Sequence, residues 1–317
     1  MSTIWTIMTL RAKSPGPRWE EQLLRLEGAY APSTIRAYYD DVRSFVDWCA
    51  RYGRVPFPAE ISTICGFVDE QGGRLVPTTV RRRLVAIGKL HRMMGMLDPT
   101  RDEDVRLALR RAIRSRTKPP QQARGMSRTQ LRDVLAVQPD TPWGIRDSAI
   151  LALGFEMLAR RSELVALRDD DLDWRSDGTL RVTIRRSKTD QAGLGRYVFT
   201  SRETARVVRS WIDWRGADFE FLFCPIYQGQ AVRRDLNSVT VRRAIQKGAA
   251  RAGLQFSGEF RGHSLRVGAA QELLCAGHDT VAIMRAGGWK SVATLARYLE
   301  CAEHNVWEVT GRSMGLR

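Results

Sequence analysis

Residues 263–299 read HSLRVGAAQELLCAGHDTVAIMRAGGWKSVATLARYL. The stretch breaks into three helices, each with its own start and stop signals. Ser264 caps the first, which Gly277 ends; DTVAIMRAGG is a short second helix stopped by Gly287 and Gly288; Ser291 caps the third, SVATLARYLE. Arg266 falls in the first turn of its helix, where its side chain and the backbone N–H groups can share one phosphate oxygen.

Reading backwards, Ser127 opens a helix (SRTQLRDVLAVQ), and Thr141 or Pro142 starts a longer one running through GIRDSAILALGFEMLARRSELVALR. The apolar run 150–155 marks this as a core helix. Arg160, Arg161, Ser162 and Glu163 interrupt it with polar groups that are costly if buried and ordinary if they line a cleft. After DDDLDW, the alternation of Leu180, Val182 and Ile184, then SKTDQAGLG, then RYVFT predicts a β-hairpin with Lys188 near its turn. Residues 204–214 should be helical and 219–223 a short apolar segment. Residues 236–252 read as a basic helix, with Val239, Val241 and Ile245 inside and Arg242, Arg243 and Lys247 outside.

The first part of the chain is helical throughout. From a cap at Ser33, Ile35, Tyr38, Tyr39, Val42, Phe45, Val46 and Cys49 recur at spacings of three and four until Gly53. A second helix begins near Pro58 and carries Ile61, Ile64, Cys65 and Val68 on one face until Gly72 and Gly73. In the third, capped by Thr78 or Thr79, Val80, Leu84, Ile87, His91 and Met94 form the buried stripe, with His91 a packed core histidine. Arg81, Arg82, Arg83 and Lys89 are left outside. A fourth helix, 102–115, carries Arg106, Arg110, Arg111 and Arg114 behind an acidic first turn. Any one of these runs reads most simply as a solvated face; together they predict phosphate contacts.

Residues 117–126 hold two prolines, two glutamines and Lys118 without an apolar period, and predict a basic linker. The domains are therefore expected to be a loose leader (1–19), a helical domain (20–116), that linker, and a second domain with its C-terminal tail (127–317). The tail, with Val306, Trp307, Val309 and Met314, is an apolar set too short to form a core of its own, so exchange between protomers competes with folding back.

The 317 residues carry 51 Lys and Arg against 35 Asp and Glu, a net charge of +16, with 43% hydrophobic residues. That apolar content excludes a disordered basic tail, and the excess charge makes nucleic acid the leading partner. Five scattered cysteines without a C-x-x-C pair indicate neither a disulfide framework nor a zinc site. No uncharged apolar run approaches the ~18 residues of a membrane helix, and the reading is a cytoplasmic protein with no membrane partner.

ARRSELVALRDDDL, the turn lysine in SKTD, HSLRVGAA and AGGWKSVATLARYLE together resemble the tyrosine recombinase (phage integrase) family. Five elements stand in the family's order: R-x-x-E, the hairpin Lys, H-x-x-R, a Trp 26 residues after the His, and a Tyr nine further on. Trp289 stands where many relatives carry a second His, which favours the Cre-like branch. The resemblance implies a mainly α fold: a helical, SAM-like core-binding domain and a mixed α/β catalytic domain with a small antiparallel sheet. It implies DNA recombination or integration by a homotetramer on two double-stranded sites with inverted-repeat arms, through a 3′-phosphotyrosine and a Holliday junction.

In the implied site Arg160, chosen over Arg161 for its spacing to Glu163, and Arg266 clamp the nonbridging oxygens, while His263 accepts the proton of the nucleophile Tyr298. Lys188 protonates the leaving 5′ oxygen, Glu163 orients the His and Arg, and Trp289 donates its indole N–H to the phosphate. No metal or other cofactor is implied. Phosphate contacts are expected from Arg81, Arg82, Arg83, Lys89, Arg110, Arg114, Lys118, Arg242 and Arg243. A noncatalytic DNA-binding protein on the same fold and a topoisomerase IB-like nicking-closing enzyme are the competing readings.

Overall fold

The computed structural model describes residues 19–115, 122–185, 195–300 and 302. The chain divides into two compact units, Met1–Gln121 and Gln122–Arg317.

In the first unit the described helices are α1 (Trp19–Leu24), α2 (Pro32–Arg51), α3 (Ile61–Gly72), α4 (Pro77–Met93) and α5 (Glu103–Arg114). Helix α4 serves two clusters. Val80, Leu84 and Ile87 pack with Phe45, Phe67 and Val105, while Ala86 and Leu90 pack with Trp19, Leu23 and Val42. Gly72 lets α3 approach α5, since a Cβ there would collide with Ala112.

Two caps differ from expectation. Ala31 and Val76, both extended, precede Pro32 and Pro77, so proline at the first helical position replaces side-chain capping by Ser33 and by Thr78 or Thr79. Helix α3 starts at Ile61 instead of near Pro58. Ile61 is exposed, and Phe67 instead of Cys65 completes the core. His91 is buried as expected: Nε2 accepts from the Ala59 N–H at 3.0 Å, so Nδ1–H donates to the Ile87 carbonyl at 2.9 Å. Burial pushes its pKa down.

The second unit holds α6 (Arg128–Ala136), α7 (Pro142–Glu156), α8 (Arg161–Val165), β1 (Leu172–Trp174), β2 (Leu180–Ile184), β3 (Arg196–Phe199) and α9 (Arg202–Arg215). A two-stranded ribbon follows, β4 (Ile226–Tyr227) with β5 (Gln230–Ala231), then α10 (Ser238–Arg251), α11 (Ser264–Cys275), α12 (Thr280–Gly287) and α13 (Val292–Leu299). The sheet is antiparallel in the order β1-β2-β3, with Val182 opposite both Leu172 and Val198. Ile150, Leu153 and Phe155 of α7 lie in one core with Leu180, Val182 and Ile184 of β2, Trp211 of α9 and Leu265 of α11. The fold is mainly α with a small antiparallel sheet, as the sequence implied.

Three boundaries move. Met126, inside the stretch read as linker, is fully buried in this core and donates its N–H to the Ser264 carbonyl at 3.0 Å; residues 122–126 thus belong to the second unit. The helix expected to run through ARRSELVAL stops at Glu156, because Leu158 takes a left-handed conformation (φ 48°) before α8 begins. Ser264 is the first residue of α11 and accepts from the Arg261 N–H at 2.8 Å, leaving His263 at the N-cap.

Candidate active site

The break between α7 and α8 builds one side of the site. Arg160 is extended (φ −74°, ψ 148°) and precedes the first turn of α8. Glu163 reaches back to it: its Oε2 accepts the Arg160 backbone N–H at 3.1 Å, and its Oε1 accepts from Arg160 Nη1 at 2.5 Å. The carboxylate is buried and thereby fixes a guanidinium that is itself largely covered. Arg161 goes elsewhere, packing against Gly262, where any Cβ would collide with it.

Arg266, in the first turn of α11, is fully buried. Its Nη1 donates to the Leu158 carbonyl, the one that the left-handed turn redirects. Its guanidinium carbon lies 3.8 Å from the centroid of the Trp289 ring and 5.6 Å from that of Tyr298. The two rings meet edge to face with centroids 5.1 Å apart. Nε and Nη2 of Arg266 and the indole N–H of Trp289 are buried without a hydrogen-bond partner among the described residues. Buried donors of this kind destabilise a fold unless an acceptor meets them, so the cluster is suited to an anion. Burial first, and the charge of Arg160 second, lower the Arg266 pKa to about 10; Tyr298 and Glu163 oppose the shift.

The turn beneath Trp289 is made by two glycines. Gly288 is left-handed (φ 66°), and a Cβ on Gly287 would collide with the indole. The backbone N–H of Trp289 then donates to the Met284 carbonyl at 3.0 Å, which ends α12 and aims the ring.

The structure therefore brings Arg160, Glu163, Arg266, Trp289 and Tyr298 together. His263 sits exposed at the N-cap of α11, its carbonyl accepting the Val267 N–H at 2.9 Å. Lys188, and with it the turn of the hairpin, lies outside the described residues, as do Lys118 and the C-terminal tail.

One member of the cluster was missed. Arg196 opens β3 and donates Nη2 to Glu163 Oε2 at 3.1 Å and Nη1 to the Ala286 carbonyl at 3.2 Å. Its only signal in the sequence was a basic residue at the start of the strand after SKTDQAGLG.

The basic residues expected on DNA divide into two groups. Arg81, Arg110, Arg114 and Arg242 are exposed. Arg243 is exposed too, but lines a cavity of about 880 Å³ together with Lys247 and the hydrogen-bonded Arg146–Asp147 pair. Arg82, Arg83 and Lys89 are already engaged inside their own unit. Arg82 donates Nε and Nη2 to Asp41 at 2.7 and 2.9 Å. Arg83 donates to Gln71 at 2.6 Å and lies over the Phe67 ring, and Lys89 donates to the Tyr30 hydroxyl at 3.2 Å. For the two arginines the reason is Asp41: buried at 2% exposure, it needs cationic partners, and Arg83 Nε also lies 3.6 Å from its Oδ1.

Among the described residues no helix is long and apolar enough to cross a membrane, and no group of His, Cys, Asp or Glu is placed to hold a metal ion.

Residues 124–304 match the Phage integrase family. An integrase/recombinase XerD homologue of Selenomonas ruminantium is 31% identical over 288 residues, 87% of this chain and 84% of that protein. The Cre recombinase of Escherichia phage P1 is 27% identical over 296 residues, 87% and 86% of the two chains. Among solved structures, XerH recombinase bound to a palindromic difH substrate shares the fold with a TM-score of 0.64 at 13% identity, over 98% of this chain and 92% of that one. The Tn1549 transposon integrase does so with 0.65 at 13%, over 93% and 97%. By its matched domain and its near full-length relatives, the chain belongs to the phage integrase family of tyrosine recombinases.

Proposed function

We propose that the chain is a Cre-like site-specific recombinase that cleaves and rejoins DNA through Tyr298. The observation that carries this reading is the stack of Arg266 on Trp289 beside Tyr298, faced by an Arg160 that Glu163 holds in place. Cations fixed before the reaction stabilise charge as it develops on a phosphodiester under attack, with no reorganisation at that moment. The Tyr298 oxygen bonds to phosphorus while the bond from phosphorus to the 5′ oxygen breaks. The phenolic proton passes to His263, and Lys188 supplies a proton to the leaving oxygen. Arg160 and Arg266 bind the nonbridging oxygens, with the buried Arg266 Nε and Nη2 and the Trp289 N–H as donors. The phosphotyrosine conserves the energy of the broken bond, so the reverse attack by a 5′ hydroxyl of the partner duplex reseals the strand without metal or ATP and leads through a Holliday junction.

Four protomers on two duplexes with inverted arms are the matching assembly, because paired protomers impose their symmetry on the site. XerH, which shares the fold, was solved on a palindromic substrate, in keeping with inverted arms. The reaction is placed in the cytoplasm. Arg81, Arg110, Arg114, Lys118, Arg242 and Arg243 remain as phosphate contacts.

The test is a target duplex nicked near the cleavage position, which loses its short 5′-hydroxyl fragment and traps the enzyme on the 3′ phosphate. Wild type should trap equally well in chelator, and Tyr298→Phe should bind and not trap. Trapping by Tyr298→Phe would overturn the assignment. Absence of trapping by wild type would favour the noncatalytic binder, and relaxation of supercoils without recombinant product would favour the topoisomerase-like reading.

A further inference from the structure

The described part of the site holds three guanidiniums, Arg160, Arg196 and Arg266, around one buried carboxylate, Glu163. Two have tasks in the reading above. Arg196 has none, yet its side chain is only 14% exposed and reaches segments distant in sequence. It meets the Glu163 carboxylate 33 residues before it and the Ala286 carbonyl 90 residues after it. Ala286 lies in the last turn of α12, directly ahead of the turn that aims Trp289.

The surroundings are shaped for this side chain. A Cβ at Gly288 would stand 2.8 Å from Arg196 Nε, so the glycine that makes the left-handed turn also leaves room for the guanidinium. Desolvating a cation here is costly, and burial is the main force lowering the Arg196 pKa, with Glu163 opposing it and Arg160 adding to it. A surface strand has no need of such a group. Glu163 Oε2 is the shared point: it accepts both the Arg160 backbone N–H and the Arg196 Nη2. With Arg196 on Oε2, the other oxygen accepts from Arg160 Nη1.

We propose that Arg196 is a positioning residue for strand cleavage: it locks the Glu163 carboxylate so that Arg160 is presented to the scissile phosphate, and ties the same point to the turn carrying Trp289. This rests on the reading of Tyr298 as the nucleophile of a phosphoryl transfer. Arg196 acts through Glu163, and the bridging 5′ oxygen is not its target.

The experiment is single-turnover cleavage of the nicked duplex by the full chain, with DNA affinity and thermal stability measured alongside. Arg196→Ala should bind the site within about twofold of wild type while its maximal cleavage rate falls roughly 100-fold, the scale of a catalytic group displaced by about an ångström. Arg196→Lys, a donor without the planar fork, should recover part of the rate. Replacing the bridging oxygen by sulfur, which removes the need for a general acid, should not restore Arg196→Ala. In the Glu163→Gln background the same change should cost less than about fivefold, because the two act as one unit.

A wild-type rate in Arg196→Ala would overturn the proposal, as would full rescue by sulfur or equal losses with and without the Glu163 carboxylate. If Arg196→Ala loses its fold, Arg196→Lys and the Glu163→Gln double variant carry the test. Failure of wild type itself to trap would instead overturn the nucleophile assignment.

Discussion

Arginine is abundant in both units, but α4 and the cluster around Arg266 use it in opposite ways. On α4, Arg82 is half exposed and bidentate on Asp41, and the cation serves the carboxylate. In the second unit, Arg266 is fully buried with two nitrogens unpartnered among the described residues, and the protein structure carries the cost of keeping it there. An arginine neutralised by its own carboxylate has little charge left to offer a ligand. A desolvated one is already in place, and its field is not spent on water. The difference separates an arginine that holds a fold together from one that, in the proposed reaction, stands ready for a phosphate.

The contrast breaks most visibly at Arg266. Arg266→Ala should lower the cleavage rate on the order of 1,000-fold with DNA binding nearly unchanged, as for loss of a preorganised transition-state donor; a matching loss of affinity would make it an ordinary binding residue.

A pH comparison with the neutral variant Arg266→Met sharpens the burial cost. The folded-state pKa lies below the ordinary arginine value, so above about 10 the unfolded chain holds more protons than the folded one and stability rises with pH. Wild type should therefore gain on Arg266→Met above pH 10, by at most about 1.4 kcal/mol per unit. Parallel denaturation midpoints would remove that cost.

On α4, Arg82→Ala should destabilise the chain by about 1 kcal/mol, since Asp41 stays buried while the lost partner is half solvated. The slope of log affinity against log salt should hardly change. Arg81→Ala should do the reverse, reducing that slope by about one without moving the melting temperature. If the two variants exchange behaviours, the division between structural and DNA-facing arginines is wrong.

The smallest effect belongs to His91. Its lowered pKa means that it folds neutral, so stability is lost as pH falls below the ordinary value of 6.5. A variant with glutamine at that position should show a flatter decline between pH 7 and 5 in chemical denaturation.

Much of this was legible in the sequence because it is local. The apolar stripes of α2 and α4, the alternation of β2, and the spacing from His263 to Tyr298 all repeat within one element or its neighbours. What failed was long-range. Arg82 read as a phosphate contact because Asp41 stands 41 residues away, and Arg196 read as nothing because both its partners lie on other elements. The end of α7 was hidden for another reason. Its apolar run continues through Met157, Leu158 and Ala159, all buried, so hydrophobic pattern gave no sign that the backbone changes hand at Leu158.

The Gly287–Gly288 turn has a consequence for variation. At 287 any side chain would strike the indole, and at 288 it would meet both a left-handed backbone and the Arg196 guanidinium. Val281 and Val292, a few residues to either side, are exposed. In a library randomised over 281–292, survivors should be nearly monomorphic at the two glycines and diverse at the two valines. Anyone retargeting this enzyme to new DNA by random mutagenesis would thus have two positions with no permitted alphabet beside two with a wide one.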